Sequence, residues 1–583
     1  MCSFGIVIRF IFIMLYIPSI VTLLTAVAAA ASVPGVPSID WADRNYALIK
    51  INHEATAYEN LVSIQSNVQV PVSWNVWSGD VGDVAYVLFD DKQMYKGDAA
   101  VKKAIVSVEK GGTFDMTVKL CNVNGCSTSS AVKVVVADTD GSHLAPLAYD
   151  YFENNKRFKT HPNKIVAGYF VEWGVYLRQF PADKVPVPNL SHLLYGFVPI
   201  CGGDGINDAL KTVPGSFEAL QRSCVNRADF KVTIHDPWAA VQKPQKGVSS
   251  WNEPYKGNFG QLMAVKRANP HLKVLASIGG WTLSDPFYHM HDKNVRQIFI
   301  DSVEEYLITW KFFDGVDIDW EFPGGKGANP NVGDAERDRE TYTLLLKELR
   351  LRLDALGART NRYYALTSAV SAGNDKIAIV NYTEAQKYLD TIFLMSYDFK
   401  GAWSNTELGH QTALFAPTWR PDEPYCADRA VELLLNQHVP AGKIALGVAM
   451  YGRGWSGVVS DDNNNPFLGV AAGPVPGTWE AGVVDYRQIV HNMSQYDYAY
   501  DEVAKGAYVY NHENGNLITY DDPKSVADKS KYVLDHELAG VFAWEIDADN
   551  GDLLNAINKG LGGKQADYLY DEQQQQQVIK DEL

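Results

Sequence analysis

Beyond about residue 160 the chain repeats one two-part pattern: a near-continuous apolar run, then a stretch with apolar positions at helical spacing. The runs fall at 164–173, 192–200, 273–281, 315–321, 363–372, 391–399, 443–455 and 539–547. A strand apolar on both faces is one covered on both sides, as in a parallel sheet flanked by helices. Helical periodicity is clearest over 295–310 and 341–356. Eight such units predict an α/β fold, a TIM (β/α)8 barrel over 161–565 enlarged by insertions. One insertion is expected over about 201–272, after the second strand, and another over about 456–530, between the seventh and eighth. The latter has strand-like pieces of its own at 507–510 and 517–520, which predicts a small α+β subdomain walling a cleft.

Residues 32–140 read differently. Short segments of alternating polarity at 68–72, 84–89, 104–108 and 132–136, separated by Gly and Asp turns, predict an all-β sandwich. Trp74 and Trp77 stand three apart on one such strand and so face opposite ways, one toward a core and one toward solvent. The exposed one is a candidate for docking on carbohydrate. Residues 141–160 remain as a linker.

The formal net charge of −17 weighs against nucleic acid and anionic membrane surfaces as partners. Fourteen Trp and 31 Tyr supply flat faces of the kind sugar rings stack on, although core packing accounts for most of them. At the N-terminus Arg9 precedes an apolar run over 10–24, and small residues from Ala28 to Ala31 offer a cleavage site, so 1–31 reads as a signal peptide, with an uncleaved anchor as the alternative that the length of the apolar stretch to Ala31 leaves open. No later segment is apolar and long enough to span a bilayer. The last four residues, Lys580-Asp581-Glu582-Leu583, are the KDEL address for retention in the endoplasmic reticulum, carried on a flexible tail over 566–583. Both ends therefore predict residence in that lumen, with the KDEL receptor as a partner.

Cysteine usage agrees with an oxidising compartment. Cys121 and Cys126 enclose a turn and are placed to staple a hairpin, while Cys201 and Cys224 are placed to close a loop between barrel elements; Cys426 is left over as a buried thiol. Other pairings stay open at this level. Sequons at Asn189, Asn381 and Asn492 permit glycosylation.

The most informative string is 314–321, DGVDIDWE. On a strand Asp317, Asp319 and Glu321 share one face, with successive carboxylates about 6.6–7 Å apart along the backbone. Three like charges inside a barrel do not all ionise, so a proton is shared among them. The sequence Phe322-Pro323-Gly324-Gly325 ends the strand and leaves Glu321 at its carboxyl end, where barrel enzymes place their chemistry. Proton transfer is the leading reading; a divalent-cation site is the alternative that an acidic string of this spacing leaves open.

Together with this string, Ala276-Ser277-Ile278-Gly279-Gly280-Trp281 at the end of the third strand and Met395-Ser396-Tyr397-Asp398-Phe399 at the end of the sixth resemble chitinases of glycoside hydrolase family 18. A fibronectin-III-like N-terminal module, a barrel and an insert before the eighth strand resemble the bacterial exochitinase type; the KDEL tail on that body is similar to baculovirus chitinases. The resemblance implies a retaining, substrate-assisted mechanism on chitin with no cofactor and no metal. Glu321 would be the general acid and base, Asp319 would hydrogen-bond the acetamide N–H and stabilise an oxazolinium ion, Asp317 would share a proton with Asp319, and Tyr397 would hold the acetamide oxygen. Met395 and Asp398 match positions beside it. Trp544 matches the platform under the sugar at the scissile bond, with Trp281 and Trp173 flanking it and Tyr451 and Arg453 as cleft residues of the seventh strand. Trp403, Trp479 and Glu480 are further substrate-binding candidates. Later release to the extracellular space is also implied.

Three other functions compete: an endo-β-N-acetylglucosaminidase on N-glycans sharing the acidic motif, a chitin-binding lectin on the same barrel, and a lumenal partner protein suggested by KDEL. The lectin reading requires a missing acid, and Glu321 is present.

Overall fold

The computed structural model describes residues 32–159, 163–460 and 465–566. The signal peptide and the KDEL tail lie outside the described residues. All eight apolar runs contain parallel strands of one closed barrel: Ile165–Val171, His192–Val198, Lys273–Gly279, Gly315–Asp319, Ala365–Ser371, Thr391–Met395, Ile444–Ala449 and Gly540–Trp544. Their outer faces pack on the surrounding helices in one large core that includes Leu275's neighbours Val274 and Ala276, Val316, Ile318 and Leu346. A separate cluster, with Tyr169, Leu194, Phe393, Ala445 and Phe542, fills the lumen.

The two stretches of clear periodicity form helices Lys293–Thr309 and Ala335–Thr360. Each starts at an aspartate whose side chain accepts from the first turn, Asp292 from Asn294 and Val295 N–H, and Asp334 from Arg337 N–H. Among the described residues no helix is long and apolar enough to cross a membrane.

One expected boundary moves. The run 443–455 is two strands: Ile444–Ala449 belongs to the barrel, and Tyr451–Ser456 opens the sheet of the insertion, pairing antiparallel with Asn516–Tyr520 and Val483–Asp485. Tyr451 and Arg453 therefore sit on the insert and not on the seventh barrel strand. Both segments are apolar, so periodicity carries no mark of the change of sheet. The helix Pro523–Asp535 that follows packs on the seventh and eighth barrel strands and belongs to the barrel.

The described residues divide into two compact units, one of 32–43, 70–106 and 115–133, the other of the remaining described residues. The smaller is all β. Val84–Phe89 pairs antiparallel with Lys92–Asp98 and with Gly112–Asn122, and the hairpin to Gly125–Thr128 sets Cys121 opposite Cys126. Trp74 is 1% exposed and Trp77 82%, the expected division of faces. In the larger unit residues 141–159 are an irregular segment tied to the barrel, Leu147 N–H donating to Ala264 O at 2.9 Å and Phe158–Lys159 pairing with Lys564–Gln565. Disulfides join Cys121 to Cys126 and Cys201 to Cys224, and Cys426 is a buried free thiol.

Candidate active site

Barrel register decides what each carboxylate of the fourth strand meets. Asp317 lies level with Ser277 on the third strand and Thr367 on the fifth. Ser277 Oγ donates to Asp317 Oδ2 at 2.8 Å and Thr367 Oγ1 to Oδ1 at 2.6 Å. Tyr169 Oη, from the first strand, adds a third donor at 2.8 Å. Burial pushes the Asp317 carboxyl above its usual range and these three hydroxyls oppose the shift. Both of its oxygens are spent on hydroxyl protons, which describes proton wiring and not the ligand set of a cation.

Asp319 lies level with Gly279 and Ala369, which offer no side-chain donor. Its Oδ1 is buried without a hydrogen-bond partner, and burial, then the charges of Glu321 and Asp317, hold its carboxyl well above the usual range. The strand ends at Asp319; Trp320 turns outward onto Phe287, and Glu321 follows, half-buried, its N–H donating to Ser284 Oγ at 2.8 Å. Burial first, and the charge of Asp398 second, raise the Glu321 carboxyl as well. Two adjacent acids both shifted upward keep a proton between them near neutrality.

Asp398 has a left-handed backbone, φ +58°, and its Oδ1 accepts from Tyr451 Oη at 2.6 Å and Arg453 Nε at 2.7 Å. Tyr397, beside it, is buried with its ring against Tyr451 and Phe542. Met395, half-buried, packs on the lumen cluster.

A cleft of about 900 Å³ is lined by Trp173, Trp281, Tyr451, Arg453, Trp479, Glu480 and Trp544. Its size suits an extended ligand held on apolar faces with a few polar groups. The acidic strand adjoins it through shared neighbours: Trp544 packs edge-on against Tyr169, which donates to Asp317, and Tyr451 donates to Asp398. Phe197 stacks under Trp544 at 5.5 Å and contacts Trp173, so the two platforms share a support. Trp281 is half exposed against Phe322. Trp403 is outside the cleft lining, exposed, with the Arg453 guanidinium 5.2 Å above its ring.

Sequence reasoning missed a second charged group in this cleft. Arg178 donates to Glu545 and, at 2.9 Å, to Asp547, and its guanidinium lies 5.9 Å from the Trp173 ring and 5.5 Å from that of Trp479. Trp479 Nε1 donates to Asp485 Oδ2 at 2.9 Å. Burial, then the charge of Asp547, raises Glu545 against the pull of Arg178. Glu545 was within reach of a sequence reading, since it follows Trp544; Arg178 stands in a loop with no pattern around it.

Residues 165–549 match the model of glycosyl hydrolases family 18, and 31–162 match the N-terminal domain of chitinase A. The chain is 66% identical over 545 residues to the chitinase of Autographa californica nuclear polyhedrosis virus, covering 94% of this chain and 98% of that protein. It is 45% identical to chitinase A of Pseudoalteromonas piscicida over 572 residues, 91% of this chain and 69% of that one. The solved catalytic domain of a psychrophilic chitinase B from Arthrobacter is similar at TM-score 0.59 and 29% identity, covering 68% of this chain and 95% of that one. With the family match spanning the whole barrel, the chain belongs to glycosyl hydrolases family 18.

Proposed function

We propose that the protein hydrolyses β-1,4 linkages between N-acetylglucosamine units of chitin, with retention and with the substrate's own acetamide as nucleophile. The observation that carries this reading is the Asp319–Glu321 pair, two carboxyls raised together beside an aromatic cleft. In the first step Glu321 protonates the glycosidic oxygen, as only a carboxyl held above its ordinary range does near neutrality. The acetamide oxygen, oriented by Tyr397, closes on the anomeric carbon and the leaving sugar departs. Asp319 accepts the acetamide N–H, which gives its unpartnered oxygen a use, and once its shared proton passes to Asp317 its negative charge stabilises the oxazolinium ion. In the second step ionised Glu321 takes a proton from water, which opens the ring from the same face.

Release of reducing sugar from colloidal chitin tests the reading. Glu321→Gln should lower turnover at least about 100-fold, the range for loss of a general acid, while binding to chitin persists. Wild-type protein that ignores chitin but trims a glycoprotein would select the N-glycan reading. Unaltered turnover in Glu321→Gln removes the acid role altogether.

We further propose lumenal retention through Lys580-Asp581-Glu582-Leu583. Deleting these four residues should move the protein from cell lysate to medium, and unchanged retention sinks the assignment.

A further inference from the structure

The turn that carries Tyr397 and Asp398 is gripped by two consecutive buried side chains, Gln411 and Thr412, on the loop that follows the sixth strand. Gln411 Oε1 accepts Asp398 N–H at 3.1 Å, its Nε2 donates to the Tyr451 carbonyl at 2.9 Å, and its own carbonyl accepts Phe399 N–H at 3.0 Å. One side chain thus ties the sixth-strand turn to the insert strand whose tyrosine holds the Asp398 carboxylate. Thr412 Oγ1 lies 2.9 Å from the Ser396 carbonyl, 3.0 Å from Asp521 Oδ2 and 2.6 Å from Lys529 Nζ. With Lys529 donating to that oxygen, its single proton is divided between Ser396 O, on the residue directly before Tyr397, and Asp521 Oδ2.

Lys529 and Asp521 are both fully buried, 2.7 Å apart. Asp521 also accepts Ala449 N–H at 3.0 Å and Ser525 Oγ–H at 2.7 Å, and Lys529 reaches the Gly447 carbonyl at 3.4 Å. A charge pair taken wholly out of water adds little stability over apolar packing of the same volume, so its presence calls for another account. What it does here is fix Thr412 against the seventh barrel strand. Gly447 completes the arrangement: a Cβ there would stand 2.9 Å from the Tyr397 ring and 2.9 Å from Ser396 N, so the ring packs directly on the strand backbone. Asp398, left-handed and not glycine, keeps that conformation only where its surroundings over-determine it.

We propose that Gln411 and Thr412, anchored by the Lys529–Asp521 pair, are positioning residues that set the Tyr397 hydroxyl against the substrate acetamide. The inference rests on the acetamide role given to Tyr397 above. A misplacement of about 1 Å at such a contact costs on the order of 100-fold in rate, so a device held far from the cleft surface still governs turnover.

Thr412→Val removes the hydroxyl at nearly constant volume, and Thr412→Ser restores it. On a soluble chito-oligosaccharide, Thr412→Val should lower kcat about tenfold or more with KM within about twofold, Thr412→Ser should recover most of the rate, and the same valine in a Tyr397→Phe background should cost less than about twofold. An equal fold-loss in both backgrounds means the threonine supports the fold and not the tyrosine, and overturns the proposal. So does Thr412→Val with wild-type kcat. A Tyr397→Phe enzyme of wild-type rate refutes the acetamide role itself and the clamp with it, whereas a crippled Tyr397→Phe beside a fully active Thr412→Val refutes the clamp alone. Gln411→Met, which removes the other half of the grip, is carried through the same cycle with the same readouts, so misfolding of one variant does not end the test.

Discussion

Asp317 and Asp319 stand two residues apart on one strand of the barrel, both buried, yet three hydroxyls donate to the first and none reaches Oδ1 of the second. Register explains the contrast, since Asp317 is flanked by Ser277 and Thr367 while Asp319 is flanked by Gly279 and Ala369. Gly279 carries φ +109°, and a Cβ there would meet Asp319 O at 2.2 Å, so that flank admits no side chain. A donor-rich carboxylate beside a donor-poor one biases a shared proton toward the second.

This asymmetry predicts unequal mutational costs. Asp319→Asn should reduce kcat about 100-fold or more, because the charge opposite the developing cation disappears. Ser277→Ala leaves Asp317 two of its three donors and should cost less, about tenfold, the lower end of what one hydrogen bond to a charged group is worth. Steady-state kinetics on a soluble oligosaccharide distinguishes the two. Equal losses would mean that the register does not divide the roles.

The rate should fall on the alkaline side for a definable reason. Glu321 must carry its proton to act as acid, and its pKa is raised to about 8 by burial first and by Asp398 second. A raised carboxyl is protonated below that value, so kcat/KM should be sustained through neutrality and lost as pH climbs through about 8. Asp398→Asn removes the second cause, so its alkaline limb should move to lower pH as well as its rate falling. A limb that stays in place after Asp398→Asn would assign the titration to another group of the coupled set.

The barrel was legible because each of its strands is buried on both faces and interrupted by helical periodicity, a pattern that survives in one dimension. Asp317, Asp319 and Glu321 were legible for a related reason: a row of carboxylates on an otherwise apolar strand conflicts with stability and so marks chemistry. Tyr169, Thr367 and Arg178 were not, because each becomes part of the site only through strand register, closure of the barrel or a loop crossing, contacts of 148, 50 and 369 residues' separation. Gln411 and Thr412 lie on an irregular loop where neither periodicity nor motif distinguishes one polar residue from the next. The seventh strand is shorter than its apolar run because Met450 hides a change of sheet inside that run.

Arg178 is the cation shared by Glu545 and Asp547, and its loss leaves two buried carboxyls facing one another. Breaking a buried pair in this way costs about 3–5 kcal/mol, so Arg178→Ala should lower the melting temperature clearly. It should also raise KM for long oligosaccharides, because the guanidinium between Trp173 and Trp479 orders two cleft aromatics. Arg178→Lys keeps the charge but not the planar fork, and should recover stability more than it recovers KM. Unchanged KM in both variants would separate the cluster from substrate binding.

The three sequons are not equivalent once the fold is known. Asn189 is fully buried: its Oδ1 accepts Phe158 N–H at 3.0 Å, its Nδ2 donates to Lys156 O at 2.6 Å, and its carbonyl accepts from Asn558 Nδ2 at 3.2 Å. A glycan on Nδ2 would break the bond to Lys156 and force a bulky polar group into the wall that holds the segment before the first barrel strand. Asn381 and Asn492 are half-buried at the start and end of short helices, where the side chain has a path to solvent. Peptide mapping of protein made in a glycosylating host should therefore find Asn189 unmodified, with any occupancy confined to Asn381 and Asn492. Substituting Asn189→Ala should destabilise the protein in a host that adds no glycans, because the two hydrogen bonds and not a sugar are what the residue supplies. A glycan at Asn189 in soluble, active protein would contradict the packing described around it.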